Sequence, residues 1–134
     1  MKIHKIDLET KLENKSFYLA IGNFDGIHLG HQQIIKRLVS EANKENKSSA
    51  ILSFDPHPRQ YFSRDLDRYQ IISAEKKYKI LESLGVNDLF SLRFDKTIAE
   101  LPPEEFIIKI IIKKLQVIKL FVGYDFRFGK NRLG

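Results

Sequence analysis

Apolar residues along the chain repeat with two periods. Runs of aromatic and aliphatic residues with the length of buried strands occupy residues 17–21, 49–54 and 117–122. In residues 89–94 the apolar positions 90, 92 and 94 alternate with positions 89, 91 and 93, two of which are polar, and this also indicates a strand. Residues 1–6 show a weaker alternation of the same kind. The pattern predicts four strands, with an edge strand added by the first six residues.

Helical spacing fills the intervals between these strands. It predicts helices over residues 34–42, 73–84 and 106–115. Two prolines and two glutamates at residues 102–105 are typical of a helix start and precede the last of these. Residues 95–100 are predicted to form a short helical turn. Gly85 is a natural end for the second helix. Strands that alternate with helices predict an α/β fold: a Rossmann-like, doubly wound parallel sheet.

Composition narrows the class of protein. The 134 residues fit one domain, and 43% hydrophobic with 30% charged residues are globular values. Cysteine is absent, which excludes disulfides, zinc ribbons and thiol catalysis and is compatible with a reducing cytoplasm. No apolar run approaches the ~20 residues of a membrane span, and no signal peptide opens the chain. A soluble cytoplasmic protein is predicted.

The net charge of +6 suits polyanions, but lysines scattered over solvated helix faces are the favoured explanation. Two motifs are missing from the sequence: the Gly-x-Gly-x-x-Gly of dinucleotide dehydrogenases and the Gly-Lys-Ser/Thr of P-loop kinases. These two classes of enzyme are therefore disfavoured.

The stretch from Gly22 to His31 separates the first buried strand from its helix. His28 and His31 are three residues apart, so a helical backbone places both imidazoles on one face of the opening turn. Free N–H groups and the helix dipole favour an anion there. Gly30 has no Cβ and lets a phosphate approach the main chain, while Gly26 permits the turn into the helix. The stretch predicts a phosphate site.

A second loop candidate follows the second buried strand. The sequence Pro56-His57-Pro58-Arg59 is stiff, because each proline fixes its backbone, and it follows the carboxyl end of a strand, where open parallel sheets bind ligands. The residues alone leave two interpretations open, a ligand loop and a rigid surface turn.

A third candidate follows the last strand, over residues 123–132. It combines aromatic residues with Arg127, Lys130 and Arg132. On the residues alone it is a surface for single-stranded nucleic acid, a flavin and phosphate subsite, or a plain surface loop.

Together these stretches resemble a known family. The His-x-Gly-His of residues 28–31, inside Gly-Asn-Phe-Asp-Gly, is similar to the nucleotidyltransferase signature. With Gln32 it resembles the FMN adenylyltransferase module of bacterial bifunctional riboflavin kinase/FAD synthetases. The Pro-His-Pro-Arg loop and the Gly-x-Asp-Phe-x-Phe-Gly-Lys of residues 123–130 are similar to that module too. The resemblance covers essentially the whole chain, so residues 1–134 are expected to form the adenylyltransferase domain.

The resemblance implies transfer of AMP from ATP to FMN, giving FAD and pyrophosphate. It implies ATP with Mg²⁺ and FMN as partners, and neither nucleic acid nor membrane. The implied catalytic residues are His28 and His31, which stabilise charge on the triphosphate. The implied ATP-binding residues are Gly22, Asn23, Phe24, Asp25, Gly26 and Gly30. The implied flavin-binding residues are Pro56, Pro58, Phe62, Asp125 and Phe128, with His57, Arg59 and Arg127 as secondary candidates. For Asp25, contact with magnesium through water and a structural role in its loop stay open.

The chain departs from the family at its end. Family members continue with a Ser-Ser/Thr-x-x-Arg signature and a riboflavin kinase barrel, and neither occurs here. The resemblance therefore implies a truncated nucleotidyltransferase fold, with weak nucleotide binding and slow or absent turnover. Two alternatives remain: a nucleotidyltransferase with another acceptor, such as phosphopantetheine or nicotinamide mononucleotide, and a basic nucleic-acid-binding domain.

Overall fold

The computed structural model describes residues 1–12, 15–22, 29–55 and 74–122. Its strands are β1 (Lys2–Ile6), β2 (Phe17–Ile21), β3 (Ser48–Asp55), β4 (Asp88–Arg93) and β5 (Val117–Phe121). Its helices are α1 (Leu29–Lys44), α2 (Ala74–Ser83), α3 (Lys96–Ala99) and α4 (Pro103–Phe106), and a π-helix over Ile107–Lys114 continues α4.

The five strands form one parallel sheet in the order β1-β4-β3-β2-β5. From β2 the chain adds β3 and then β4 on one side, and it returns to place β5 on the other side of β2. The direction of winding therefore reverses between β2 and β5. This reversal is the topological switch point of an open α/β sheet.

Both faces of the sheet are covered, as the doubly wound prediction requires. Helices α1 and α2 cover one face through a cluster that includes Ala20, Ile51, Leu89, Ile35, Leu38 and Leu81. Helix α3, helix α4 and the π-helix cover the other face through a cluster that includes Leu19, Leu52, Phe90, Ile98, Phe106 and Ile110. The central strands β2 and β3 are buried on both sides and therefore read as apolar runs, which is why the sequence pattern located them, whereas β5 is an edge strand with Ile118 exposed.

The predicted elements are confirmed with small shifts at their ends. The weak pattern of residues 1–6 becomes edge strand β1, which pairs with β4. Helix α1 is longer than its apolar stripe, because it extends to Leu29 and Lys44. Helix α2 ends at Ser83, and Gly85 follows it with φ of +94°, a conformation that glycine adopts without strain.

The helix expected over residues 106–115 differs in its winding. After α4 the chain forms eight residues of π-helix, and the Leu115 N–H donates to the Ile110 carbonyl, five residues back, at 2.9 Å. The buried residues here are Phe106, Ile110, Ile111 and Leu115. Because they recur every four to five residues, the wider winding keeps all four on the face that meets the sheet.

The weak pattern of residues 1–6 gives no sign that His4 is packed, and the structure half-buries it. Its ring stacks on Phe90 with a centroid distance of 4.8 Å, and its Nε2 lies 2.9 Å from Oδ1 of the buried Asp88. The register of β1 with β4 places His4 opposite Phe90. Packing across strands that are distant in sequence therefore half-buries a residue that looked exposed.

Candidate functional site

The carboxyl ends of β2, β3 and β5 are neighbours along one edge of the sheet, which we call the carboxyl rim. Ile21 of β2 pairs with Leu52 of β3, and Ala20 pairs with Phe121 of β5. The three loop candidates therefore start side by side at the switch point. Open α/β sheets bind ligands in the crevice at this position.

His31 lies in the first turn of α1, immediately beyond the carboxyl end of β2. The helix begins at Leu29, so Gly30 and His31 are its second and third residues. The N–H groups of a first turn have no intrahelical acceptors, and the helix dipole makes this end positive. The first turn itself contains no acidic residue. The half-buried His31 therefore stands beside an end of the helix that favours an anion.

Gly22 continues the sheet rather than opening the loop. It is buried, and its N–H donates to the Leu52 carbonyl at 3.0 Å. This N–H is committed to β3 and does not serve as a phosphate donor. Gly22 leaves the end of β2 without a side chain, which is its contribution to the predicted nucleotide site.

Helix α1 is held against the sheet at two levels. Ile35 and Leu38 are fully buried beneath it. Near its end, Lys119 of β5 donates to the Glu41 carboxylate at 2.9 Å. This hydrogen bond, with smaller contributions from the charges of Lys119 and Arg37, lowers the pKa of Glu41 against the opposing effect of desolvation. The helix that carries His31 is thus tied to both strands that flank the switch point.

The structure describes three of the predicted site residues: Gly22, Gly30 and His31. The others lie outside the described residues: Asn23, Phe24, Asp25, Gly26, His28, Pro56, His57, Pro58, Arg59, Phe62, Asp125, Arg127 and Phe128. Their assignments stay predictions. Among the described residues, no helix is long and apolar enough to cross a bilayer.

A cavity of about 260 Å³ opens on the same rim, at the ends of β1, β4 and β3. It is lined by Lys5, Ile6, Asp7, Asp55, Ser91 and Arg93. The sequence analysis did not single out any of these residues. The alternation in β4 carried a signal, since Ser91 and Arg93 are polar positions within an otherwise apolar strand, but only the sheet order brings them beside Lys5 and Asp55.

The model of the FAD synthetase family matches residues 10–134, which is nearly the whole chain. The chain belongs to the FAD synthetase family. One relative, the bifunctional riboflavin kinase/FMN adenylyltransferase of Buchnera aphidicola subsp. Schizaphis graminum, is 31% identical over 134 residues, which are 100% of this chain and 43% of the relative. The Escherichia coli K12 protein of the same description is 37% identical over 116 residues, 87% of this chain and 37% of the relative.

The chain therefore spans less than half the length of these relatives of the FAD synthetase family. A crystal structure described as a macrolide-efflux protein from Streptococcus pneumoniae matches 98% of this chain and 44% of that protein, with a TM-score of 0.86 and 23% sequence identity. At that identity the match bears on the fold alone. It supports the α/β architecture and its order of strands.

Proposed function

We propose that this chain carries the adenylyl-transfer site of an FAD synthetase, which transfers AMP from ATP to FMN. The observation that carries the proposal is the placement of His31, in the first turn of a helix that leaves the switch point of a parallel sheet. Membership of the FAD synthetase family supplies the substrates. The absence of cysteine fits a cytoplasmic location.

In the proposed reaction an oxygen of the FMN phosphate attacks the α-phosphorus of ATP. A new P–O bond forms, the bond to the bridging oxygen of the β-phosphate breaks, and pyrophosphate leaves with that electron pair. Negative charge accumulates on the departing pyrophosphate and on the oxygens of the α-phosphate, so fixed donors accelerate the step by stabilising it. His31 and the first-turn N–H groups of α1 are donors of this kind. In our assignment neither histidine of the motif acts as a nucleophile.

We assign Mg²⁺ to the triphosphate, as part of the ATP substrate. Among the described residues, no group of three His, Asp or Glu side chains is arranged to hold a metal ion. The described part of the site thus offers donors for phosphate oxygens rather than a cage of oxygen ligands for a metal.

The test is direct. This chain, and a version extended to the length of its relatives, would be incubated with ATP, Mg²⁺ and FMN, and FAD and pyrophosphate would be quantified. Equal amounts of both products support the proposal. Titration calorimetry with each substrate separates the alternatives, because heat with ATP and none with FMN would indicate a nucleotidyltransferase with another acceptor.

A further inference from the structure

A polar contact joins helix α1 to edge strand β5 on the face of the sheet that α1 covers. Lys119 of β5 donates to a carboxylate oxygen of Glu41 at 2.9 Å, and its ammonium lies 5.4 Å from the centre of the Phe121 ring. Helix α1 packs over β2 and β3, so Lys119 reaches it from the strand beyond β2. The contact therefore holds α1 from the side rather than from beneath.

The apolar residues of α1 fix its distance from the sheet. Ile35, Leu38 and Ala42 are fully buried and form one stripe along the helix. On the side toward α2, Val39 lies beside the turn at Gly85, where an added Cβ would come within 3.1 Å of its Cγ1. A swing of α1 in the plane of the sheet is thus limited by that turn on one side and by the hydrogen bond from β5 on the other.

The Glu41 carboxylate depends on Lys119 for its hydrogen bonding. Its second oxygen, Oε2, is buried and accepts no hydrogen bond within the described part of the chain, and Arg37 Nε lies 3.6 Å from it. The side chains of Lys119 and Glu41 are 46% and 27% exposed, and pairs of this kind contribute little to stability. The contact therefore bears on where α1 points more than on whether the chain folds.

The direction of α1 sets the position of His31. Both His31 and Glu41 belong to α1, and at 1.5 Å per residue they are about 15 Å apart along its axis. The buried Ile35 and Leu38 lie between them. Because an α-helix is stiff over this length, a sideways displacement at Glu41 about that buried middle moves His31 by a similar distance in the opposite direction.

We propose that Lys119 and Glu41 are positioning residues for adenylyl transfer, because their hydrogen bond fixes the direction of α1 and with it the place of His31 beside the triphosphate. This inference rests on the proposed function. Neither residue touches a substrate in this assignment, and both act through α1. The effect on rate can be large, since a misplacement of about 1 Å caused by a distant change can cost about 100-fold.

The experiment measures kcat and KM for FAD formation by the version of the chain extended to the length of its relatives. Lys119→Met removes the donor and keeps an apolar side chain of similar length over Phe121. The expected result is a fall of about tenfold in kcat with the KM for ATP and the KM for FMN unchanged, because the charge that His31 stabilises accumulates in the transition state. Lys119→Arg keeps a cationic donor and should retain most of the unmodified kcat.

The same contact can be removed from the side of the helix. Glu41→Gln removes the charged acceptor and should also lower kcat without changing either KM. Adding it to Lys119→Met should cause no further loss, because two groups that act through one hydrogen bond are not additive. If Lys119→Met does not fold in a thermal unfolding measurement, Glu41→Gln decides the question by the same criteria.

Lys109→Met is the matched control. Lys109 is a similarly exposed lysine that lies 3.4 Å from the Glu105 carboxylate, and both belong to the helices on the opposite face of the sheet. This variant removes a surface ion pair that does not touch α1, so kcat and both KM values should stay unchanged. An equal loss of kcat in Lys109→Met would show a general effect of lost surface charge and would overturn the inference.

The remaining outcomes separate this inference from the proposed function. An unchanged kcat in Lys119→Met, measured where the unmodified extended chain forms FAD, overturns the positioning role and leaves adenylyl transfer standing. A raised KM for ATP with unchanged kcat would place Lys119 in substrate binding, and the inference would be wrong. Additive losses in the double variant contradict it as well. If the unmodified extended chain forms no FAD, the inference and the proposed function are both overturned.

Discussion

The two histidines that the structure describes occupy different places relative to the parallel sheet. His31 lies beyond the carboxyl rim, in the first turn of α1, and that turn itself contains no acidic residue. His4 lies in the middle of edge strand β1, stacked on Phe90, and its ring is hydrogen-bonded to Asp88, the first residue of β4, at the end of the strands that we call the amino rim. In our assignment His31 is a donor to a ligand, whereas His4 completes the packing of the sheet. The difference teaches that position relative to the strands separates a candidate site imidazole from a packed one.

The amino rim satisfies its own polar groups. Asn87 and Ser49 are hydrogen-bonded to each other through both backbone and side chains, at 3.0 to 3.2 Å, and the Lys15 ammonium lies 3.8 Å from the Asp88 carboxylate. At the carboxyl rim the cavity is lined by Lys5, Asp55 and Arg93, which form no ion pair among the described residues, and by Asp7, which accepts hydrogen bonds from Glu9 and Thr10. We therefore expect changes at the amino rim to affect stability and changes at the carboxyl rim to affect ligand binding and turnover.

The strongest test of this contrast is His31→Ala. Removing one donor to a developing anion costs about 100-fold to 1,000-fold in turnover, so FAD formation is expected to fall by that factor. The free energy of unfolding should change by less than about 1 kcal/mol, since a half-buried residue in a first helix turn contributes little to the core. Product formation by the extended chain and urea unfolding are the two measurements. His4→Ala is the control, and it should lower stability while leaving turnover intact; unchanged turnover in His31→Ala would remove the assigned role.

Asp88→Ala probes the amino rim. It deletes the buried carboxylate that accepts from His4, and the loss of this charged hydrogen-bond partner is expected to destabilise the fold by about 1–3 kcal/mol. Urea unfolding gives the value. Asp88→Asn keeps an acceptor oxygen of the same shape and should cost less. A folded Asp88→Ala protein that had lost FMN binding would contradict the separation of the two rims.

Gly85→Ala addresses the turn that leads into the amino rim. Its φ of +94° is strained for any residue with a side chain, and an added Cβ would lie 3.1 Å from Cγ1 of Val39. We expect a loss of about 1–2 kcal/mol in unfolding free energy. Gly85→Asn is the comparison, because asparagine tolerates left-handed backbone better than alanine. If both variants unfold like the unmodified chain, the turn does not need glycine.

The smallest effect concerns pH and the contact of α1 with β5. The hydrogen bond from Lys119 lowers the pKa of Glu41 below its unfolded value, so the folded state binds this proton less readily than the unfolded state. Its stabilisation is fully present above the unfolded pKa near 4.5 and is lost as the pH falls through the lowered folded value. In thermal unfolding, Glu41→Gln should remove this part of the loss of stability at acid pH. Lys119→Met should do the same. Additive effects in the double variant would show that the two groups do not interact.

Several elements of the fold followed from local pattern alone. The strands of residues 17–21 and 117–122 are apolar runs of the right length, and the stripe of residues 34–42 has helical period, so each was located within a few residues. The π-helix over residues 107–114 was not predicted. A π-helix and an α-helix differ only in whether each N–H donates to the carbonyl five or four residues back. That choice depends on which of the isoleucines meet the sheet.

Of the site, the sequence by itself predicted the phosphate-binding chemistry, from histidines and glycines at a strand-to-helix junction, and the structure places His31 in the first turn of that helix. Only the tertiary structure decided that His4 is packed, that the N–H of Gly22 is consumed by β3, and that Lys5, Asp55 and Arg93 surround one cavity. The physical reason is the separation along the sequence over which each interaction acts. Periodicity and capping act within a few residues, whereas strand order and register join residues up to about 101 positions apart, as in the pairing of Ala20 with Phe121.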